Sequence, residues 1–259
     1  MDAEALLAAL RKSVRRDIDN TAKAAVAYSG GIDSSIIAAL ASESVAVDCH
    51  TWAVEGSFDA VNVQERADEE NLQVMLHVLD AARLRQAVAS ASAALGSTDP
   101  VPISYTIPLI LVLEESPEEV VLAGNGADEL FGGYSKYAST EDPTSAMKKD
   151  FNKMQLEAEE LRRWAASSGK RLGFPFVSED IIRLSRDMPI SWKISGGERK
   201  VVLREVAKLL KLPSHDRPKK AAQYSSGIRK LMERTAKDEE LSLSRWTEKW
   251  AQLERQKRL

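Results

Sequence analysis

The stretch Ala25–Ser35, AVAYSGGIDSS, limits what this chain can fold into more than any other. A short apolar run leads into Ser-Gly-Gly-Ile-Asp-Ser-Ser and then into an Ala/Ile-rich segment with helical spacing. That order reads as strand, loop and helix. Gly30 and Gly31 let the backbone adopt unusual angles and lie close against an anion. The first amides of the next helix point outward at the positive end of its dipole. The loop is not of the Walker type, because no Lys-Ser or Lys-Thr pair follows the glycines. Asp33 stands instead where the anion should sit. A carboxylate beside a polyphosphate calls for a divalent cation between them, so the loop predicts a Mg²⁺-nucleotide. A glycine turn capped by Asp33 and Ser34 is the alternative reading of the same residues.

A second stretch carries the same kind of signal. Glu118–Tyr134 reads EEVVLAGNGADELFGGY. Val120–Ala123 is the compact apolar run expected of a fully buried parallel strand. Gly124 and Gly126 then allow a tight turn bearing Asn125, Asp128 and Glu129. In an open parallel sheet, ligands gather at the carboxyl ends of the strands. Two such ends with glycines and carboxylates can converge on one metal-nucleotide. The alternative is that Asp128 and Glu129 cap a helix.

SGGIDSS resembles the PP-loop of the N-type ATP pyrophosphatases, which cleave ATP between its α and β phosphates. Glu118–Tyr134 resembles the G-x-G-x-DELFGGY signature of asparagine synthetases and the related β-lactam synthetase. Further stretches are similar in order and spacing: WAVEGSFD at 52–59, DPVPISYTIP at 99–108, KVVLR at 200–204 and RPKKAAQYSSG at 217–227. The resemblance spans residues 20–235 and implies an ATP- and Mg²⁺-dependent enzyme. By that resemblance Asp33 and Asp128 bind the metal. Ser29, Gly30, Gly31, Ser34 and Ser35 hold the β- and γ-phosphates, and Tyr28, Trp52 and Gly124 flank the adenine. A carboxylate, aspartate by resemblance, attacks the α-phosphorus to give an acyl-adenylate. Ammonia or an amine then forms the amide and AMP leaves. Lys220, or Lys219, corresponds to the family's catalytic lysine once a one-residue gap is allowed; either could equally be a surface charge.

The chain departs from the family pattern at several points. Its first region, MDAEALLAAL, is already a helix feeding the PP-loop strand rather than a glutaminase domain with an N-terminal cysteine. Its nitrogen is therefore expected as free ammonia or from a separate glutamine amidotransferase. Asn125 stands where the glutamine-dependent enzymes carry a Glu that helps deprotonate the attacking nitrogen. An amide orients a substrate by hydrogen bonds and cannot act as a base. GFPFVS at 173–178 replaces the usual RVPFLD, with Arg171 as a substitute for the missing Arg. Two further readings stay open: adenylation of another carboxylate or of a tRNA base, and a nucleotide-binding subunit without turnover.

Composition frames this. With 259 residues, 44% hydrophobic, 29% charged and a formal charge of −3, the chain is a globular protein with no global attraction to nucleic acid or membrane. Its single cysteine, Cys49, lies in an apolar run and reads as a small buried hydrophobe, which suits the cytoplasm. The basic residues form separate clusters at Arg11–Arg16, Arg217–Lys220 and Arg255–Arg258. The first could meet RNA or be a solvated helix end. Strand patterns at Ala24–Tyr28, Val45–Val54, Val74–Val78 and Val120–Ala123 alternate with helical ones at Asp33–Ser44, Asp59–Asn71 and Ala81–Leu95. That alternation predicts an α/β fold with a doubly wound parallel sheet. After Asp142 strand signals nearly vanish. The expected organisation is one domain, 1–259, with a sheet core over 1–142 and a mostly helical part over 143–259. Lys237–Leu259, with Leu241, Leu243, Trp246, Trp250 and Leu253 among its charges, reads as an amphipathic helix packing on the body or on another subunit of a homo-oligomer.

Overall fold

The computed structural model describes residues 3–217 and 225–257. An amphipathic helix, α1 (Ala3–Asp17), comes first and buries Leu6, Leu7, Leu10 and Val14 at helical spacing. Five parallel strands follow: β1 (Lys23–Ala27), β2 (Ala46–Ala53), β3 (Val74–Val78), β4 (Val120–Leu122) and β5 (Arg171–Gly173). Their order across the sheet is β3-β2-β1-β4-β5. Helix α2 (Ile32–Ser42) links β1 to β2, and α3 (Phe58–Glu69) links β2 to β3. Both steps run in one direction along the sheet. The connection from β3 to β4, through α4 (Ala81–Leu95) and α5 (Pro100–Glu115), runs the other way. Right-handed crossovers therefore place α2 and α3 on one face and α5 on the other. The reversal lies between β1 and β4, and a crevice opens there at the carboxyl ends.

Burial explains the individual elements. Val120, Val121 and Leu122 are fully buried, as a central parallel strand requires. Helix α5 starts at Asp99, whose side chain accepts from the Val101 amide, and it is apolar almost all round. Ile103, Ile107, Ile110 and Leu111 are all fully buried, so α5 is a core helix rather than a surface one. Each such side chain contributes about 1.5–3 kcal/mol on burial. Cys49 lies in β2 at 0% exposure, and burial pushes its thiol up to about 12, so it is an inert core residue.

Most elements match the sequence pattern within a residue or two. Two differ. The sheet's fifth strand, β5, lies beyond residue 142, where the pattern reads as helical; it pairs with β4 through Val120↔Arg171 and Leu122↔Gly173. It is too short to show any alternation. The mostly helical part expected over 143–259 also holds a small antiparallel ribbon, in which Glu198–Arg199 pairs with Ile194–Ser195 just before a helix that begins at Val201.

Beyond β4 come α6 (Ala127–Phe131), α7 (Ser135–Ser139) and the long α8 (Pro143–Ser167). After β5 come α9 (Glu179–Asp187) and α10 (Val201–Leu209). The helix Leu243–Lys257 packs on α4 with Trp246 fully buried, as its amphipathic pattern predicts. Among the described residues no helix is long and apolar enough to cross a membrane.

Candidate functional site

Strand β1 ends at Ala27, and the chain turns through Tyr28, Ser29, Gly30 and Gly31 into α2. Its own serines close the loop: the Ser29 amide donates to Ser34 Oγ at 3.2 Å, and the Ser34 hydroxyl donates to the Gly31 carbonyl at 3.0 Å. Gly31 is the N-cap of α2 and offers no capping side chain, so the first amides of that helix keep their capacity for an anion. Ser29 is exposed and Ser35 is fully buried. Tyr28 is buried, with its phenol donating to Glu70 Oε2 at 3.0 Å, so only its backbone is offered to a ligand. Trp52, near the end of β2, stacks on His77 with ring centroids 4.7 Å apart.

The second loop approaches the first closely. Gly124 lies so near α2 that a Cβ there would sit 3.0 Å from the Asp33 Cβ. Gly126, at φ 93°, turns the chain into α6, which carries Asp128 and Glu129 in its first turn. Asn125 is half-buried between these glycines. Glu129 is buried, and its Oε1 accepts the Tyr134 hydroxyl at 2.7 Å. Burial first, then the neighbouring Asp128 charge, raises its pKa to about 7.

Asp33 and Asp128 come together around a lysine that sequence reasoning left without a role. Lys200 Nζ lies 2.5 Å from Asp33 Oδ2 and 2.6 Å from Asp128 Oδ1. Its side chain is only 3% exposed. Lys200 is the N-cap of α10 and adopts the left-handed conformation at φ 59°, a strained choice for a non-glycine residue held by its surroundings. A Cβ on Gly133 would collide with both the Asp128 carboxylate and the Lys200 Cε.

Arg204, four residues along α10, reaches the carbonyls of Arg199, His215 and Arg217. Arg217 in turn donates to the Gly30 carbonyl at 3.0 Å and to the Arg66 carbonyl at 3.2 Å. It also pairs with Glu69 at 2.5 Å and with the buried Glu70 at 3.0 Å. Within KVVLR, Lys200 thus meets the loop directly at Asp33, and Arg204 acts through Arg217, whose carbonyl it binds. The motif's spacing was visible in the sequence; the partners were not.

Lys219 and Lys220 lie outside the described residues. The residues flanking that segment are placed: Arg217 rests on the PP-loop, and the Ser225 hydroxyl donates to the buried Asp59 at 2.8 Å, beyond the end of β2. Arg171 opens β5 at the amino end of the sheet, where it pairs with Glu119 at 3.2 Å. It is therefore on the edge away from Asp33.

The carboxylates, the uncapped helix start and the two glycine loops fit a metal-bridged polyphosphate. The Asp33 and Asp128 carboxylates are hard oxygen donors of the kind that Mg²⁺ accepts, and the first α2 amides are donors of the kind that phosphate accepts.

Comparison with known proteins gives an independent line. The asparagine synthase family model matches residues 5–173 and 144–254. A Methanocaldococcus jannaschii protein named as a glutamine-hydrolysing asparagine synthetase is 29% identical over 273 residues, covering 88% of this chain and 50% of that protein. The asparagine synthetase domain-containing protein 1 of Gallus gallus is 34% identical over 131 residues, covering 45% of this chain and 20% of that one. The chain thus spans half the length of the archaeal relative. Among solved structures, NMN synthetase from Francisella tularensis aligns over 99% of this chain and 94% of its own, at TM-score 0.44 and 14% identity. The U34-tRNA thiolase NcsA from Methanococcus maripaludis aligns over 97% and 79%, at TM-score 0.39 and 13% identity.

Proposed function

The chain belongs to the asparagine synthase family, and from that premise we propose that it is an ATP-dependent amide-forming enzyme. In this reading it activates a carboxylate, aspartate in the first instance, as an acyl-adenylate. Ammonia, free or delivered by a separate glutamine amidotransferase, then takes the acyl group. The observation that carries the reading is the meeting of Asp33 and Asp128, from two different strand ends, at the sheet's reversal point.

The residues divide the work. The α2 amides, with Ser29, Gly30, Gly31 and Ser34, receive the β- and γ-phosphates. Asp33 and Asp128 would hold a divalent cation, whose charge offsets that of the departing pyrophosphate. Lys200 keeps the two carboxylates together at the separation the structure shows. The substrate carboxylate oxygen bonds to the α-phosphorus as the bond to pyrophosphate breaks. The amine nitrogen then bonds to the carbonyl carbon, AMP departs with the shared oxygen, and a proton leaves the nitrogen. Asn125 orients the amine without accepting that proton. The charge-stabilising part of the family's lysine falls to Lys219 or Lys220 on the resemblance alone.

The test is pyrophosphate release from Mg²⁺-ATP with aspartate, with and without ammonium, in wild type and Asp128→Ala. The reading expects aspartate-dependent pyrophosphate and AMP, asparagine when ammonium is present, and loss of all three in the variant. ATP binding with no aspartate-dependent release sinks the aspartate assignment. It directs the same assay to other carboxylates and to tRNA.

A further inference from the structure

A second polar centre lies on the sheet away from the carboxyl edge. Asp48 and His50 alternate onto one face of β2, and their register partners on β1 are Ala25 and Ala27. Ala25 is also the partner of Val121 on β4. The methyl groups of Ala25 and Ala27 leave room above β1, where side chains from β2 and from the turn before β4 meet the Lys23 ammonium. His50 Nε2 lies 3.4 Å from Glu118 Oε2, just before β4. Lys23 Nζ lies 2.5 Å from Asp48 Oδ2 and 3.4 Å from Glu118 Oε1. One ligand atom each from Asp48, His50 and Glu118 fall within 4.8 Å of one another.

An ion pair with Lys23 accounts for only part of this. His50 and Glu118 are 3% and 5% exposed, yet His50 Nε2 and both Glu118 oxygens have no hydrogen-bond partner among the described residues. A buried carboxylate served only by contacts of this length is costly. The 3.4 Å separation exceeds a normal N–H···O bond of about 2.7–3.2 Å. It matches two ligands of one tetrahedral ion with bonds of about 2.0–2.2 Å. The far side of the imidazole is already engaged, with His50 Nδ1 3.2 Å from His77 Nε2. An Nδ1–H donated to His77 turns the Nε2 lone pair onto the Glu118 carboxylate, acceptor against acceptor, and second-shell bonds of this kind orient metal-bound histidines.

We propose that Asp48, His50 and Glu118 bind one divalent transition-metal ion of the Zn²⁺ class, separate from the nucleotide site, with the Lys23 ammonium as the group it displaces. One imidazole and two carboxylates suit a borderline ion better than Mg²⁺. The ion ties β2 to the turn before β4 across the small residues of β1.

The experiment is a calorimetric titration of chelator-treated protein with ZnCl₂, with Mg²⁺ in excess to occupy Asp33 and Asp128, alongside Co²⁺ visible spectra and thermal melts. One equivalent of saturable binding and a raised Tm are expected. His50→Gln and Glu118→Gln should weaken binding at least about tenfold. Asp128→Ala and Cys49→Ala should leave it as it is. Lys23→Met, at a half-exposed position, should strengthen it about tenfold by removing the competing cation. No saturable binding, or a Lys23→Met protein with wild-type affinity, overturns the proposal.

Discussion

Lys200 Nζ sits 2.6 Å from Asp128 Oδ1, and the same ammonium holds Asp33. One buried cation therefore links the ends of β1 and β4. Replacing it by methionine leaves two carboxylates facing each other with no positive partner between them. Lys200→Met should lower stability by about 3 kcal/mol in the absence of metal. Mg²⁺ should then raise its Tm more than that of wild type, because the added ion restores the missing charge. Pyrophosphate release should fall about 10²-fold or more. Thermal melts with and without MgCl₂ check the first two, and the assay above checks the third. A variant with wild-type melting in both conditions would remove Lys200 from this role.

Gly133 is a matter of space. A methyl group there meets the Asp128 carboxylate and the Lys200 Cε at once. Gly133→Ala should fold, since its effect falls on side chains that can swing away. It should nonetheless weaken Mg²⁺-ATP binding by about tenfold or more by displacing Asp128. Isothermal titration with a non-hydrolysable ATP analogue measures this directly, and unchanged affinity would refute it.

Arg217 anchors the Gly30 carbonyl and three further groups: the Arg66 carbonyl, the Glu69 carboxylate and the Glu70 carboxylate at the end of α3. Arg217→Met leaves the buried Glu70 without its cation, at a cost of about 3 kcal/mol. Arg217→Lys keeps the charge but cannot reach Gly30 and Glu70 together in a fork. The lysine variant should therefore recover most of the stability and little of the ATP turnover. Melting temperature read beside kcat separates the two effects.

Much of this site was legible because it is local. A glycine turn between an apolar run and a helix is encoded by the residues that form it, so Ser29–Ser35 and Gly124–Asp128 could be read directly from their own stretches. Lys200 and Arg217 could not be assigned partners that way. Their contacts lie far along the chain, and only the order of strands brings them to the crevice. β5 was hidden for a different reason: Arg171–Gly173 is three residues long and shows no alternation against its neighbours. Its pairing with β4 supplies the signal that its sequence lacks.

Glu239 gives the fold a pH dependence independent of the site. Burial opposes its charge, but hydrogen bonds from Lys249, Trp246 and Arg85 outweigh this and hold the carboxyl down to about 2, against an ordinary 4.5. A depressed carboxylate stabilises the native state fully above its unfolded pKa, and that support is lost as pH falls through the native value. Wild type should thus exceed Glu239→Gln in stability at neutral pH, with the gap closing between pH 4.5 and 2. Denaturant melts of both proteins across that range test it; a gap that widens on acidification contradicts it.

The bond from Arg217 to the Gly30 carbonyl bears on how such a protein can be dissected or recombined. A fragment ending before Arg217 retains all five strands and both glycine loops, and by sequence alone would count as a complete nucleotide module. It lacks the side chain that, among the described residues, pins the Gly30 carbonyl from the opposite wall. Any exchange of carboxyl-terminal segments between relatives, in the laboratory or over evolutionary time, must therefore carry Arg204 and Arg217 as a linked pair. Otherwise the recipient inherits a phosphate loop closed by its own serines but without the contact that fixes the Gly30 carbonyl.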